Sequence, residues 1–259
     1  MALFTDGPIN DAGDLQRYEG DILNVAAAEH IDLGAKLRLA QQDLGNELVL
    51  FLLRRSSSLD AGRDTGLGFR RAQELCDVVV SEPMRQWHVH KTLAMIYQDA
   101  YNNQLNERYQ GKWKEYEQLA KASKSTYFQI GVGLAADPVP KGPLPALTSV
   151  TGPGTGATYY VAGTWVNAGD QEGTPSEFAE ITTTDGQQLT ATVGSAPPNV
   201  TGWNVYVGLS PTTVTLQNQS PLAPGSEWIM TSGPNPGAGL PGGQKPSWFV
   251  VDHRTIERG

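Results

Sequence analysis

The sequence predicts an α+β chain with its two classes of structure in separate domains. An N-terminal α-helical bundle comes first, then an immunoglobulin-like β-sandwich, then a short C-terminal tail. Three observations carry this. Charge is concentrated early: residues 1–141 hold 16 of the 19 Lys and Arg and 19 of the 27 Asp and Glu, and no Lys or Arg occurs from Gly142 to Gln244. Proline runs the other way, 4 in the first part against 13 in the second. The apolar pattern also changes, from spacings of three and four to short β-branched and aromatic runs between turn residues. The domain limits that follow are 1–141, 142–233 and 234–259.

The helical part begins with a short helix over Asp14–Glu29, with Leu15, Tyr18, Ile22, Val25 and Ala26 inward. Asp32 is placed to cap a second helix, in which Leu33, Leu37, Ala40, Leu44, Leu48 and Phe51 form one apolar stripe. Arg54 and Arg55 then stand where a helix C-terminus favours cations. Ser56–Gly68 is polar and glycine-containing and predicts a loop, and Phe69–Val80 fits neither class cleanly because Val78, Val79 and Val80 dilute a helix. Glu82 and Pro83 open a third helix, since proline is accommodated in a first turn. It carries Trp87, Leu93, Ala94, Ile96, Tyr97, Ala100, Tyr101 and Leu105. The strongest periodicity follows: Tyr109, Trp113, Tyr116, Ala120, Ser123 and Tyr127 recur at gaps of four and three. Such an aromatic seam is first of all intramolecular core. The second reading places Tyr109, Trp113, Tyr116 and Tyr127 against a neighbouring subunit, because aromatics are enriched at interfaces.

Asp137–Pro145 alternates proline with other residues and predicts an extended linker. Beyond it, strands are expected at Ala146–Thr151, Thr158–Asn167, Phe178–Thr183, Gln188–Val193, Gly202–Gly208, Thr212–Leu216 and Glu227–Thr231. Seven short strands in roughly 90 residues suit an immunoglobulin-like sandwich. Gly233–Pro246 reads as a Gly/Pro linker. Trp248, Phe249, Val250 and Val251, followed by Arg254, then form an apolar patch that needs burial. It either returns to the sandwich as an eighth strand or reaches another chain by strand addition.

Composition narrows function. A net charge of −8 argues against gripping nucleic acid, and the only basic doublets are Arg54 with Arg55 and Arg70 with Arg71. One cysteine, Cys76, excludes an internal disulfide and a Cys-based metal cage. The first residues lack a basic start followed by an apolar run, and Leu48–Leu53 is too short to span a bilayer, so no leader and no membrane partner are expected. His88 and His90 are two apart on an expected helix and point nearly opposite ways, which does not make a chelate. No nucleophile elbow, phosphate loop or zinc-helix motif appears, so neither catalytic residues nor cofactors are assigned and an enzyme is the least supported class.

Three stretches resemble the helical domain of tailed-bacteriophage head–tail connector (adaptor) proteins: Leu33–Leu53, Ala94–Glu117 and Phe128–Gly133. The resemblance covers roughly residues 10–140 and is a pattern of helices. Tyr159–Ser176 and Gly202–Pro211 are similar to the fibronectin-type-III or immunoglobulin-like modules of phage structural proteins. This resemblance implies a virion protein made in the host cytoplasm, with about a dozen copies in a ring beneath the portal. Its partners would be the portal protein, copies of itself and a downstream tail or stopper protein, with DNA passing through the channel without specific recognition. Residues 247–259 would then anchor it to the portal or a neighbouring subunit. The alternative is a tail- or surface-associated phage protein whose sandwich binds host glycan or receptor through Tyr159, Tyr160, Trp165, Trp203 and Tyr206.

Overall fold

The computed structural model describes residues 1–59, 74–105 and 107–251. The chain divides into two compact units. One contains the β-sandwich and comprises Met1–Asp6 with Ala135–Lys245; the other contains the helices and comprises Gly7–Leu134 with the chain from Pro246 onward. Helices thus precede a sandwich, as expected for the fold class, but the division falls elsewhere than at 141 and 233. The sandwich unit is an insertion in the helical unit, and the first six residues belong to the sandwich.

In the helical unit, the stretch 14–29 forms two helices rather than one. α1 (Ala12–Tyr18) starts at a capping box in which Asp11 and Asp14 each accept from the other's backbone N–H. Glu19 leaves the helical region at φ −137°, and α2 (Ile22–Ala28) begins afresh beyond Gly20. α3 (Leu33–Leu59) is capped by Asp32, whose side chain accepts from the Ala35 N–H at 3.0 Å. Its stripe is as expected, with Leu37, Ala40, Leu44 and Leu48 buried and Leu52 added. Arg54 and Arg55 do not close it: the helix continues through Ser56–Leu59, so the first residues of the expected loop are helical. The rest of that loop, and Arg70 and Arg71 after it, lie outside the described residues.

After a short turn at Leu75–Asp77, α4 (Glu82–Gln104) starts with Pro83 in its first turn and ends at Leu105 in the left-handed region. α5 (Glu107–Ile130) returns antiparallel to it. Tyr97 stacks on Tyr116 with ring centroids 5.8 Å apart, Tyr101 lies on Trp113, and Trp87 meets Tyr127. These contacts join α4 to α5, and Leu15, Ile22, Val25 and Leu37 of the earlier helices pack into the core that holds Tyr97, Tyr116 and Trp113.

The unit is closed by strands. β1 (Val132–Leu134) pairs antiparallel with β9 (Trp248–Val250), Leu134 opposite Trp248 and Val132 opposite Val250. Val78 bridges to Leu134, and the Val79 N–H donates to the Gly133 carbonyl at 2.9 Å. The ambiguous Val78–Val80 segment is therefore a buried edge to this small sheet. The expectation that this segment returns to the sandwich as an eighth strand is corrected: Trp248–Val250 adds to the helical unit instead.

The sandwich has the expected seven strands: β2 (Ala146–Thr151), β3 (Thr158–Asn167), β4 (Ala179–Thr182), β5 (Gln187–Thr192), β6 (Val200–Gly208), β7 (Thr215–Leu216) and β8 (Trp228–Ile229). One sheet runs β2-β5-β8 and the other β4-β3-β6-β7, every pairing antiparallel. Between them lies a core of Tyr159, Val161, Trp165, Leu189, Ala191, Trp203, Val205 and Val207. This is the alternation by which one face of each strand is buried.

Both segments read as linkers are packed against this sandwich. Val139 is fully buried in its core, and the Gly142 N–H donates to the Thr174 carbonyl at 2.7 Å. The chain at Gly142 lies so close to β3 that a Cβ there would sit 2.0 Å from the Gly163 carbonyl oxygen. Along 234–245, Leu216 donates to Ala238, Thr215 to Asn235, and Leu240 packs on the outer face of β6. Buried Gln244 then bonds three groups, accepting from the Val139 N–H and donating to the Asp137 carbonyl and the Gln171 side chain. Proline forbids ladder donation but not docking, because an extended segment still offers carbonyls. Met1–Asp6 is held in the same unit: Leu3 and Phe4 are buried, and Asp6 accepts from the Lys141 N–H and the Thr174 hydroxyl.

Candidate interaction surfaces

The seam residues are committed to contacts within the chain. Tyr116 and Tyr127 are buried, while Tyr109 and Trp113 are half-buried against the helical core. Two of their hydroxyls tie α5 to the segment around α2. Tyr116 and Lys112 both donate to Glu19 Oε2 at 2.8 Å, and Tyr109 donates to Glu29 at 3.1 Å. Burial pushes the Glu19 carboxyl up, but the bonds from Lys112 and Tyr116 outweigh it and hold the group below the ordinary carboxylate range. The seam is thus core with a polar margin.

The tail patch is also spoken for in large part. Trp248 and Val250 are half-buried in the β1–β9 pair, Val251 just after it is half-buried too, and Phe249 is 52 % exposed. Two glycines make the pairing possible. Gly131 has φ +112°, and a Cβ on Gly133 would lie 2.8 Å from the Pro246 ring. Arg254 lies outside the described residues.

The histidines on α4 serve different neighbours. His88 is fully buried; its Nε2 donates to the Leu37 carbonyl at 3.0 Å and its Nδ1 accepts from the Asn10 amide at 3.0 Å. His90 meets the Ser123 hydroxyl on α5 at 2.8 Å. Burial lowers the basicity of both rings. Among the described residues no group of three His, Cys, Asp or Glu could hold a metal. Nor does any described helix have the length and apolarity to cross a membrane.

The aromatic side chains considered for glycan stacking do not form a surface. Tyr159, Trp165, Trp203 and Tyr206 are buried and Tyr160 is half-buried. On the outer face of β3 and β6, one oxygen of Glu172 accepts from Asn204 at 2.9 Å and Tyr206 at 2.8 Å, and also from Thr164. This cluster fastens the β3–β4 connection to the sheet.

Two features of the helical unit lie open. A groove of 580 Å³ runs between α3 and α5 over α4, with Leu44, Trp87, Ala94 and Trp113 along it. The ion pairs Lys91–Asp43 at 3.0 Å and Lys124–Glu47 at 2.6 Å border it. Beside it, α3 exposes Leu39, Val49, Leu50 and Leu53. The sequence carries a signal for this surface, an excess of apolar residues on α3 beyond those one buried stripe uses. The dense run Leu48–Leu53 contains both faces at once.

No protein-family model matches the chain, and no curated protein matches it.

Proposed function

We propose that the chain is a head–tail adaptor of a tailed bacteriophage, a structural protein that forms a ring beneath the portal and joins the DNA-filled head to the tail. One observation carries the reading. The three stretches that resemble connector proteins, 33–53, 94–117 and 128–133, come together in one unit as most of α3, the facing parts of α4 and α5, and the entry into β1. Connector-like helices separated in sequence therefore belong to one compact unit. A unit of this kind, stiffened by stacked aromatics between α4 and α5, can serve as a repeated block in a closed ring. The portal, further copies of the chain and a downstream tail or stopper protein are the partners, and virions are where the protein resides.

The tail anchors this assembly less directly than an apolar patch on a free linker would. Phe249 is the one largely exposed apolar side chain among Trp248–Val251, so it is the docking residue of that group. The competing role, glycan or receptor binding by the sandwich, is less well supported because its aromatics are buried. Immunogold labelling of intact phage particles with antibody raised against the sandwich tests the reading. Gold confined to the head–tail junction is expected. Gold along the tail or over the capsid rejects it.

A further inference from the structure

The sandwich unit is described throughout, and one of its sheet edges differs from the rest. β2 ends the sheet β2-β5-β8 and pairs only with β5, in an unbroken register from Ala146 opposite Thr192 to Thr151 opposite Gln187. A bare edge strand invites another strand, and proteins guard such edges with charge, proline, bulges, shortness or a covering segment. The other three edges of the sandwich have such a guard. β4 carries exposed Glu180, β7 has the Leu216 N–H donating to the Ala238 carbonyl, and β8 is two residues long. β2 has six residues without charge, proline or bulge. It lies in the stretch from Gly142 to Gln244 that contains no Lys or Arg.

Hydrogen bonding fixes which groups of β2 face outward. The Gly152 N–H donates to the Gly186 carbonyl at 2.9 Å, which continues the register by one pair. The Met230 N–H donates to the Leu189 carbonyl at 2.9 Å, so Leu189 turns its backbone to β8, and Ser149 opposite it turns away from β5. Antiparallel pairs alternate, so Leu147, Ser149 and Thr151 direct both N–H and carbonyl to the open edge. Among the described residues none bonds to these groups. Thr148, Ser149, Val150 and Thr151 are all exposed and alternate between the two faces, so both faces of this half of the strand lie open.

The pattern fits a second copy of itself. Ser149 is its midpoint, with Leu147 and Thr151 two residues to either side and Pro145 and Pro153 four. In an antiparallel pair about a two-fold axis at Ser149, each Leu147 faces Thr151 of the other copy and Ser149 faces its counterpart. The outward N–H groups of each strand then meet the outward carbonyls of the other. Pro145 falls opposite Pro153 of the other copy, where neither has an N–H to offer, and the ladder ends there at both sides. Thr148 comes beside Val150 of the other copy, a β-branched pair at the closer, non-hydrogen-bonded spacing. We infer that two copies of this chain pair antiparallel through β2, centred on Ser149, and join their three-stranded sheets into one. The ladder is about 20 Å long. Such a strip falls short of the roughly 1,200 Å² that a stable interface buries, so the pairing is weak and concentration-dependent.

The test uses the full chain. With Cys76→Ser as background, Thr148→Cys and Val150→Cys chains are mixed and mildly oxidised at high protein concentration. The mixture is expected to give a disulfide-linked heterodimer, and either chain alone about tenfold less crosslink, because like positions lie diagonally across the ladder. Ser149→Lys and Ser149→Glu, each alone, are expected to lose the concentration-dependent rise in sedimentation coefficient, since like charges then stand opposite each other. Mixing the two is expected to restore it, and unchanged circular dichroism spectra show that both fold. Three results overturn the inference. These are a wild-type chain that stays monomeric up to millimolar concentration, equal crosslinking by Thr148→Cys alone, or a mixture of folded Lys and Glu variants that sediments as each does separately. None of these outcomes bears on where the protein sits in a virion, so this inference and the adaptor reading fail separately.

Discussion

Single side chains decide how much of the helical core is tolerant to change. The Tyr127 hydroxyl is buried without a hydrogen-bond partner, and burial pushes its pKa up. An unsatisfied buried hydroxyl is a cost that its removal relieves. Tyr127→Phe is therefore expected to raise stability by about 1 kcal/mol, seen as a higher urea midpoint. His88 sets a pH response. Its neutral ring donates to Leu37 and accepts from Asn10, and a second ring proton would point at the Asn10 amide donor. Arg85 disfavours that proton and Asp14 favours it, with burial the largest effect. The folded ring thus holds its proton less tightly than the unfolded one. Its contribution is present above the unfolded value near 6.5 and is lost as pH falls toward the folded value, by at most about 1.4 kcal/mol per pH unit. His88→Gln should flatten the decline in urea midpoint between pH 7 and 5, with His90 and, toward pH 5, Glu19 contributing to the slope that remains. A wild-type midpoint that does not move over this range rules the mechanism out.

Elements differ in how far local sequence determines them. β2 and β3 were legible to the residue, because β-branched and aromatic runs stood between glycine and proline clusters. The strong seam of α5 was legible too, and so was its aromatic packing on α4. The Gly/Pro segments were not: proline signals that a strand ladder stops, yet says nothing of whether an extended chain docks elsewhere. Val139, Gln244 and Leu240 supply that docking through partners far away in sequence. β9 was hidden for the same reason, since its partner is a three-residue strand at the end of a helix and no short-range pattern joins them. Two predictions belong here. Ending the chain after Lys245 removes β9 and should destabilise the helical unit by about 3 kcal/mol through lost apolar burial. Calorimetry should show that transition moved down and the sandwich transition in place. Gly142→Ala forces the backbone off β3 and should cost the sandwich about 2 kcal/mol, with the helical transition unmoved.

At the scale of the molecule, one unit is inserted in the sequence of the other. Leu134 and Trp248 are opposite each other in β1 and β9, so a hairpin connection of about two to five residues can span the gap between them. A chain that starts at Gly7 and passes from Leu134 through such a turn to Pro246 should fold as a helical unit, with cooperative loss of its far-UV signal on heating. Failure to fold would mean that the sandwich is needed for more than covalent continuity. The nesting also has a consequence in time. During translation α1 to α5 leave the ribosome first, yet the strand that completes their sheet follows only after the whole sandwich has been made. The helices must wait, one hydrophobic edge of Val132 and Leu134 still uncovered, while the later-made unit folds. Chaperones that recognise nascent apolar edges therefore have their window at β1, and it shuts when Trp248 to Val250 arrive.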